Sequence, residues 1–328
     1  MRAYVIDETT DFSTSVRDVE LHALEPSDVL VEVDYSGINF KDAMVSQSKS
    51  RVRRRDVLIG GVDAAGVVVA STSERTPPGT RVALHGGALG VARDGGFAEF
   101  IYAPPANVSP LPDTISTRDA MVIGTAGFTA MQSILALEDH GLARGARVLV
   151  TGATGGVGSQ SVTYLAARGY QPVASTGSQH EHAWLRARGA VEVIGRDAIA
   201  DRPDRVLASE AWDGAIDCVG GDALHQILRS LRYGAAVAAS GLVASAELTT
   251  SVYPFITRGV ALLGIDSVEV GTATRARVWR ELGALAHLVD FDALIDHTTS
   301  LEALNDALAA VRAGTLRGRV LVDPRQHV

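Results

Sequence analysis

The sequence predicts an α/β protein in two parts: a β-barrel-type domain, and a domain built on a doubly wound parallel sheet. Three observations predict it. The first third is rich in short alternating runs cut by Gly and Pro. From residue 147 onward, short apolar strands alternate with helical segments. Within that second region, at Val148–Ser159, a strand runs into a glycine-rich turn and then a helix.

Taken in order, "RAYVID", "VRDVEL" and "DVLVEVDYSG" alternate apolar and polar residues. "DAAGVVVAS", "GTRVALHGG" and "GGFAEFIYAP" follow, each bounded by turn residues. These runs read as one compact barrel-type domain over residues 1–117. The pattern then changes. "TRDAMVIGTAGFTAMQSILALEDHG" has helical spacing and ends on Gly141, a suitable C-cap. The next strands are "RVLVTG" (147–152), "QPVAST" (171–176), "VEVIG" (191–195), "GAIDCVG" (214–220), "AAVAASG" (235–241) and "VALLGI" (260–265). Helical stretches lie between them, so residues 118–267 read as βαβ units with a parallel sheet covered on both faces. Residues 268–328 hold two helices, near 274–289 and 301–313, and a closing strand, "RGRVLVD", that returns to the first domain.

Composition narrows the function classes. The 328 residues, 46% of them hydrophobic, suffice for about two domains with sizeable cores. No apolar run reaches the roughly 20 residues of a membrane span. The start, "MRAYVID", has neither the basic nor the apolar region of a signal peptide. A cytoplasmic protein is expected. Cys218 is the single cysteine, which excludes an intrachain disulfide and a multi-cysteine metal site. A net charge of −8 argues against a general nucleic-acid binder.

The clearest chemical signal is "VLVTGATGGVGS". Gly152 permits the tight turn. Gly155 and Gly156 let the backbone approach a pyrophosphate, and Gly158 lets the helix pack closely on the strand. The helix N-terminus then offers free N–H groups and the positive end of its dipole to phosphates. A nucleotide-binding Rossmann-type domain follows, the alternative being such a domain without its ligand. An NAD site usually places a carboxylate at the end of the second strand. Here that strand ends "ASTGSQH", with Ser175, Thr176 and Ser178 as hydroxyl donors and Arg196 just after the third strand. This favours NADPH over NADH, unless the hydroxyls are ordinary loop residues.

With these residues in view, the chain resembles the medium-chain dehydrogenase/reductase superfamily, and within it the zinc-free NADPH-dependent acrylyl-CoA reductases and related quinone oxidoreductases. The matching stretches are "SGINFKDAM", "IGTAGFTAM", "VTGATGGVGS", "LRARGA", "DCVGG", "YPFITRGVALLGIDSV" and "LRGRVLV". The resemblance implies a GroES-like catalytic domain plus a Rossmann domain, and a homodimer joined through "VALLGI". The zinc-dependent branch uses a Cys, a His and a second Cys. The corresponding places here are Asn39, Val62 and about Thr125, none of which offers thiolate or imidazole. No metal is therefore expected. Without a Lewis acid, oxidation of an alcohol is disfavoured. Hydride transfer to an already activated double bond needs none.

Carried over residue by residue, the resemblance implies NADPH contacts at Phe40, Thr125, Thr129, Thr154, Gly155, Gly156, Val157, Gly158, Ser159, Thr176, Gly177, Ser178, Arg196, Leu242, Ile256 and Ser267. Ser178 stands where relatives often have arginine, which weakens the phosphate grip. "GGVD" with Gly60 stands where relatives tend to have "PGID". The expected reaction is NADPH-dependent reduction of a short enoyl-CoA such as acryloyl-CoA to the saturated acyl-CoA. The alternatives are a quinone or small-enone reductase and a non-enzymatic NADPH-binding redox sensor. Asn39 is the candidate donor to the enolate-like oxygen. Lys41 and Asp42 are a candidate polar pair beside it, or a structural helix start. "RVRRR" supplies Arg53, Arg54 and Arg55, read either as a seat for coenzyme A phosphates or as a solvated loop. Tyr253 and Arg258 are cleft candidates with equal claim to packing roles, and His85 is read as loop structure. The expected partner is a small molecule, with neither nucleic acid nor membrane.

Overall fold

The computed structural model describes residues 1–21, 28–199 and 206–326. The chain opens with β1 (Arg2–Asp7), β2 (Ser13–Asp18), β3 (Val29–Ile38) and a short helix, α1 (Phe40–Val45). There follow β4 (Val57–Ile59), β5 (Asp63–Ala70), β6 (Arg81–His85), β7 (Phe100–Ala103) and β8 (Val108–Pro110), then the long helix α2 (Thr117–Asp139). Next come β9 (Arg147–Val150), α3 (Gly156–Ala167), β10 (Gln171–Ser175), α4 (His182–Ala187), β11 (Glu192–Ile194) and β12 (Gly214–Asp217). They lead to α5 (Gly221–Ser230), β13 (Ala236–Ala239), α6 (Tyr253–Arg258) and β14 (Ala261–Gly264). The chain closes with α7 (Thr272–Leu285), β15 (Ile295–Thr299), α8 (Leu304–Ala313) and β16 (Arg319–Val322).

Two compact units result: Met1–Ala126 with Ser267–Val328, and Gly127–Asp266. The division falls inside α2, nine residues beyond the 117/118 boundary read from the sequence, because the helical spacing starts before the chain changes unit.

In the first unit one sheet runs β2-β1-β4. A larger one runs β15-β16-β3-β5-β6-β8, with β7 also on β3. Both faces of β1 are covered. Tyr4 and Ile6 join a core with Leu58, Phe97, Val320 and Val322, while Ala3 and Val5 pack on Ile59 and Ala98. The period of two does this: alternate side chains leave opposite faces. Tyr4 and Phe97 meet edge to face, 6.1 Å between centroids. β16 pairs antiparallel with β3 (Val320 opposite Ile38), so the closing strand does return to the first unit. β15 escapes sequence reading because "IDHTT" is polar and mostly exposed; it lies at the edge of its sheet.

The second unit is a six-stranded parallel sheet in the order β11-β10-β9-β12-β13-β14. The order reverses between β9 and β12, which makes a crevice beyond their carboxyl ends. In register, Val150 lies level with Ala174 and Ile216, and Asp217 with Ala239. The turns after these strands therefore share one edge of the sheet.

α2 starts with Ser116 and Asp119 exchanging hydrogen bonds, a capping arrangement that settles its first turn. It breaks at Gly124 (φ 50, ψ −162). By length and composition this 23-residue helix could cross a membrane, contrary to the reading that no apolar run is long enough. The apolar window is 83% buried, however, as befits a core helix.

Candidate active site

The first unit builds a buried polar cluster where β3 gives way to α1. Asn39 is extended (φ −117, ψ 161) and starts the helix. Asp42 at the third helical position reaches back to accept the Asn39 backbone N–H at 2.8 Å, and its other oxygen accepts the Val62 N–H at 2.8 Å. Asp42 is 1% exposed. Burial pushes its carboxyl up to about 7, and the charge of Asp63 adds to the rise against the pull of the two N–H donors. Of the two readings of Lys41 and Asp42, a polar pair or a structural helix start, no hydrogen bond or ion pair between the two is seen among the described residues. Asp42 faces the backbone as a helix-start acid does, and its carboxylate is taken by those N–H groups.

The sign of this shift yields a prediction. The folded carboxyl binds its proton more tightly than the unfolded one. Its contribution is complete below about 3.8, declines as pH rises, and is lost through about 7. The window corresponds to about 4 kcal/mol at ~1.4 kcal/mol per pH unit. Thermal unfolding of the wild type and Asp42→Asn across that window tests it. The wild type should lose stability relative to the variant as pH rises, and parallel curves would refute the assignment.

Asp63 on β5 and Arg319 on β16 form the centre of the cluster, both essentially buried. Asp63 accepts hydrogen bonds from Asn39 Nδ2 at 2.8 Å, Thr125 N at 2.8 Å, Thr125 Oγ1 at 2.5 Å and Arg319 Nη2 at 3.5 Å. Arg319 also donates to Asn39 Oδ1 at 3.0 Å and to the carbonyls of Ile38 at 2.9 Å and Val122 at 3.1 Å. The break at Gly124 makes this possible. A Cβ there would stand 2.5 Å from both Arg319 Nη2 and Asp63 Oδ2. Sequence reading found Asn39 and Thr125 but missed Asp63 and Arg319, although "GGVD" and "LRGRVLV" had both been singled out.

The arginine cluster after α1 divides. Arg53 is 7% exposed, donates to the carbonyls of Val45 at 2.6 Å and Gln47 at 2.9 Å, and pairs with Glu8. It fastens the loop to the end of β1 and is no seat for coenzyme A phosphates. Arg54 and Arg55 are exposed, Arg55 lying 3.5 Å from Asp94. His85 is buried, and burial with the charge of Arg275 holds its ring well below the usual histidine range. Arg258 donates to the carbonyls of Arg229 and Ala208, a packing role, while Tyr253 is half exposed.

Phe40, Thr125 and Ser267 fall in the first unit; Phe40 is 42% exposed and Ser267 is buried. The other assigned cofactor residues fall in the second. There Gly152 takes φ +58, the left-handed turn that glycine permits. A Cβ at Gly158 would stand 2.2 Å from the Gly152 carbonyl oxygen, so glycine is required for the helix to start this close. At Gly155 a Cβ would meet the chain only at 3.4 Å, an ordinary contact. Asp217 accepts the Thr151 hydroxyl at 2.6 Å and the Gly220 N–H at 2.8 Å, tying the turns after β9 and β12 together. Burial raises its carboxyl. Ser159 Oγ is buried with no hydrogen-bond partner among the described residues.

Beyond β10, Thr176 Oγ1 accepts the Ser178 N–H at 3.1 Å. The Arg196 guanidinium lies where a side chain at Gly177 would be, 2.8 to 3.2 Å from an ideal Cβ. Val157, Thr154 and Gly156 lie in the turn and first helical residues of α3. Thr129 is buried on α2, while Leu242 and Ile256 are exposed, the latter on α6.

Residues 25–113 match the alcohol dehydrogenase GroES-like domain family, and residues 156–286 match the zinc-binding dehydrogenase family. "Putative quinone oxidoreductase YhfP" of Bacillus subtilis is 42% identical over 95% of each chain. The acrylyl-CoA reductase AcuI of Ruegeria pomeroyi is 40% identical over 98% of each. Among solved structures, the yhdH oxidoreductase of Salmonella enterica in complex with NADP has a TM-score of 0.94 at 37% identity, covering 99% of this chain and 100% of its own. The second family's name speaks of zinc, but the donors here do not fit that ion. Val62 is apolar, Asn39 and Thr125 are neutral and engaged with Asp63, and Asp63 is paired with Arg319. With matching folds in both units and relatives at about this identity along nearly its whole length, the chain belongs to the medium-chain dehydrogenase/reductase superfamily, in the family of the acrylyl-CoA reductases and YhfP-type quinone oxidoreductases.

Proposed function

We propose that the protein is an NADPH-dependent oxidoreductase that reduces the activated C=C bond of a short enoyl thioester such as acryloyl-CoA. The observation that carries the reading is the amide of the partly buried Asn39, held by Asp63 and Arg319 at a site without thiolate or imidazole. An amide N–H suits an oxygen that gains negative charge as an enolate forms. It does not suit an alcohol that must lose a proton.

The second unit's turn fits the cofactor. A Cβ at Gly155 would meet the chain only in an ordinary 3.4 Å contact, Ser159 Oγ lacks a partner among the described residues, and Arg196 with Thr176 offers donors to a 2′-phosphate. When bound, NADPH supplies the hydride that, with a proton from water, saturates the double bond. The chain's own part is to bind, to orient and to steady the thioester oxygen. Phe40, Thr125, Thr129, Leu242, Ile256 and Ser267 are the remaining proposed contacts, by likeness to the family. AcuI's name supports the thioester; YhfP's name supports a quinone as the second reading. A homodimer goes with the proposal. β14 ends its sheet with Leu262 partly exposed, and an open strand edge invites a second copy.

NADPH consumption measured with acryloyl-CoA, crotonyl-CoA and a quinone tests the reading. Acryloyl-CoA should give the highest kcat/KM; a quinone that outperforms both thioesters would replace it. Neutralising Arg54 and Arg55 together should raise KM for the acyl-CoA roughly tenfold and leave that for the quinone unchanged. Equal effects would remove these arginines from coenzyme A binding.

A further inference from the structure

We propose that Arg319 and Asp63 are positioning residues that fix which way the Asn39 side-chain amide faces. The proposal rests on the reading of that amide as the donor to the substrate oxygen.

A primary amide has an accepting end and a donating end of nearly equal shape, and nothing in an isolated asparagine selects between the two orientations. Here the neighbours select. A guanidinium has only donors, and a carboxylate only acceptors. Arg319 Nη1 lies 3.0 Å from Asn39 Oδ1, and Asp63 Oδ2 lies 2.8 Å from Asn39 Nδ2. A flipped amide would set donor against donor and acceptor against acceptor at both ends. The two charges face little solvent, with side chains 2% and 0% exposed, so water does not screen the preference.

The selecting groups are themselves held. Arg319 is seated on the carbonyls of Ile38, Val122 and Met121, and Asp63 on the N–H and hydroxyl of Thr125. Gly37 and Gly124 leave the room for this, since a Cβ at Gly37 would stand 2.8 Å from Arg319 Nη2. The second Nδ2 proton has only a long contact, 3.5 Å to the Gly37 carbonyl, and remains available to an acceptor. The pair thus turns a partly buried asparagine into a donor of fixed direction. It spans 256 residues of sequence, from β5 to the last strand.

The experiment has two independent readouts. In protein with ¹⁵N-labelled asparagine, hydrogen exchange of the Asn39 Nδ2 proton that Asp63 accepts should be slow in the wild type. It should quicken roughly tenfold or more in Arg319→Gln and in Arg319→Lys, because an ammonium cannot span the same acceptors. In kinetics, each Arg319 variant should lose roughly 10- to 100-fold in kcat with KM for NADPH unchanged. In an Asn39→Ala background, the Arg319 changes should cost nothing further in kcat. Arg319→Lys keeps the charge and guards against failure to fold, with NADPH titration as the check on the nucleotide site. The Asp63-bound Asn39 proton exchanging as fast in the wild type as in Arg319→Gln, or an undiminished kcat loss in the Asn39→Ala background, would overturn the proposal. If the wild type turns over neither thioester nor quinone, the functional reading fails by itself, and amide exchange still decides the role of Arg319.

Discussion

Gly124→Ala is expected to destabilise the protein by about 4 kcal/mol, a large share of an ordinary domain's stability. Two effects combine. At φ 50, ψ −162 the backbone sits in a region that residues with a Cβ rarely enter, which costs about 1–3 kcal/mol by itself. The new methyl would also stand 2.5 Å from both Arg319 Nη2 and Asp63 Oδ2. Neither atom is free to retreat, because Arg319 is bonded to three backbone carbonyls and Asp63 to Thr125 and Asn39. Prising the pair apart leaves two buried charges undercompensated, a change worth about 3–5 kcal/mol when complete. The loss should appear in urea unfolding as a lower midpoint with an unchanged slope. A loss below about 1 kcal/mol would show that the helix break tolerates a side chain and that the cluster can relax.

The largest effect on cofactor binding is expected at Arg196. Arg196→Gln should raise KM for NADPH roughly 10- to 100-fold, with kcat and KM for NADH little changed. The guanidinium lies against Gly177, so the cation stands over the loop that follows β10. Residues 176–180 of that loop carry no carboxylate to hold a ribose hydroxyl; the first acid after β10 is Glu181, just before α4 and 3.6 Å from His180. Thr176 already accepts the Ser178 N–H, which leaves its proton to donate. An anion placed there would take its one strong charge-assisted bond from Arg196, since serine stands at 178. Steady-state kinetics with both nucleotides separates the terms. An equal rise in KM for NADPH and NADH would mean that Arg196 shapes the loop and reads no phosphate.

How much could be read beforehand differed from element to element. The nucleotide turn was legible because its requirements are local. Gly152 must take a left-handed φ, and Gly158 must lie against the Gly152 carbonyl six residues before it, so both leave their mark within one short stretch. The parallel sheet was legible for a related reason: short apolar strands between helices leave few other ways to bury both faces. By contrast, β15 was not legible, since an edge strand needs no apolar pattern. Arg53 was misread for want of its surroundings. In sequence it is one of a run of basic residues, and only the fold brings Glu8 and two carbonyls to it.

The sequence by itself determined the nucleotide turn, the alternation that builds the second unit, and the lack of thiolate or imidazole at residues 39, 62 and 125. The tertiary structure alone decided what occupies that place instead. Asp63 and Arg319 are 256 residues apart, and nothing local marks either of them. Their roles arise because β16 pairs with β3 and the break in α2 turns Thr125 toward β5. Burial then makes the ion pair and the amide between them depend on one another, and a property of that kind belongs to the packed arrangement and to no single stretch of chain.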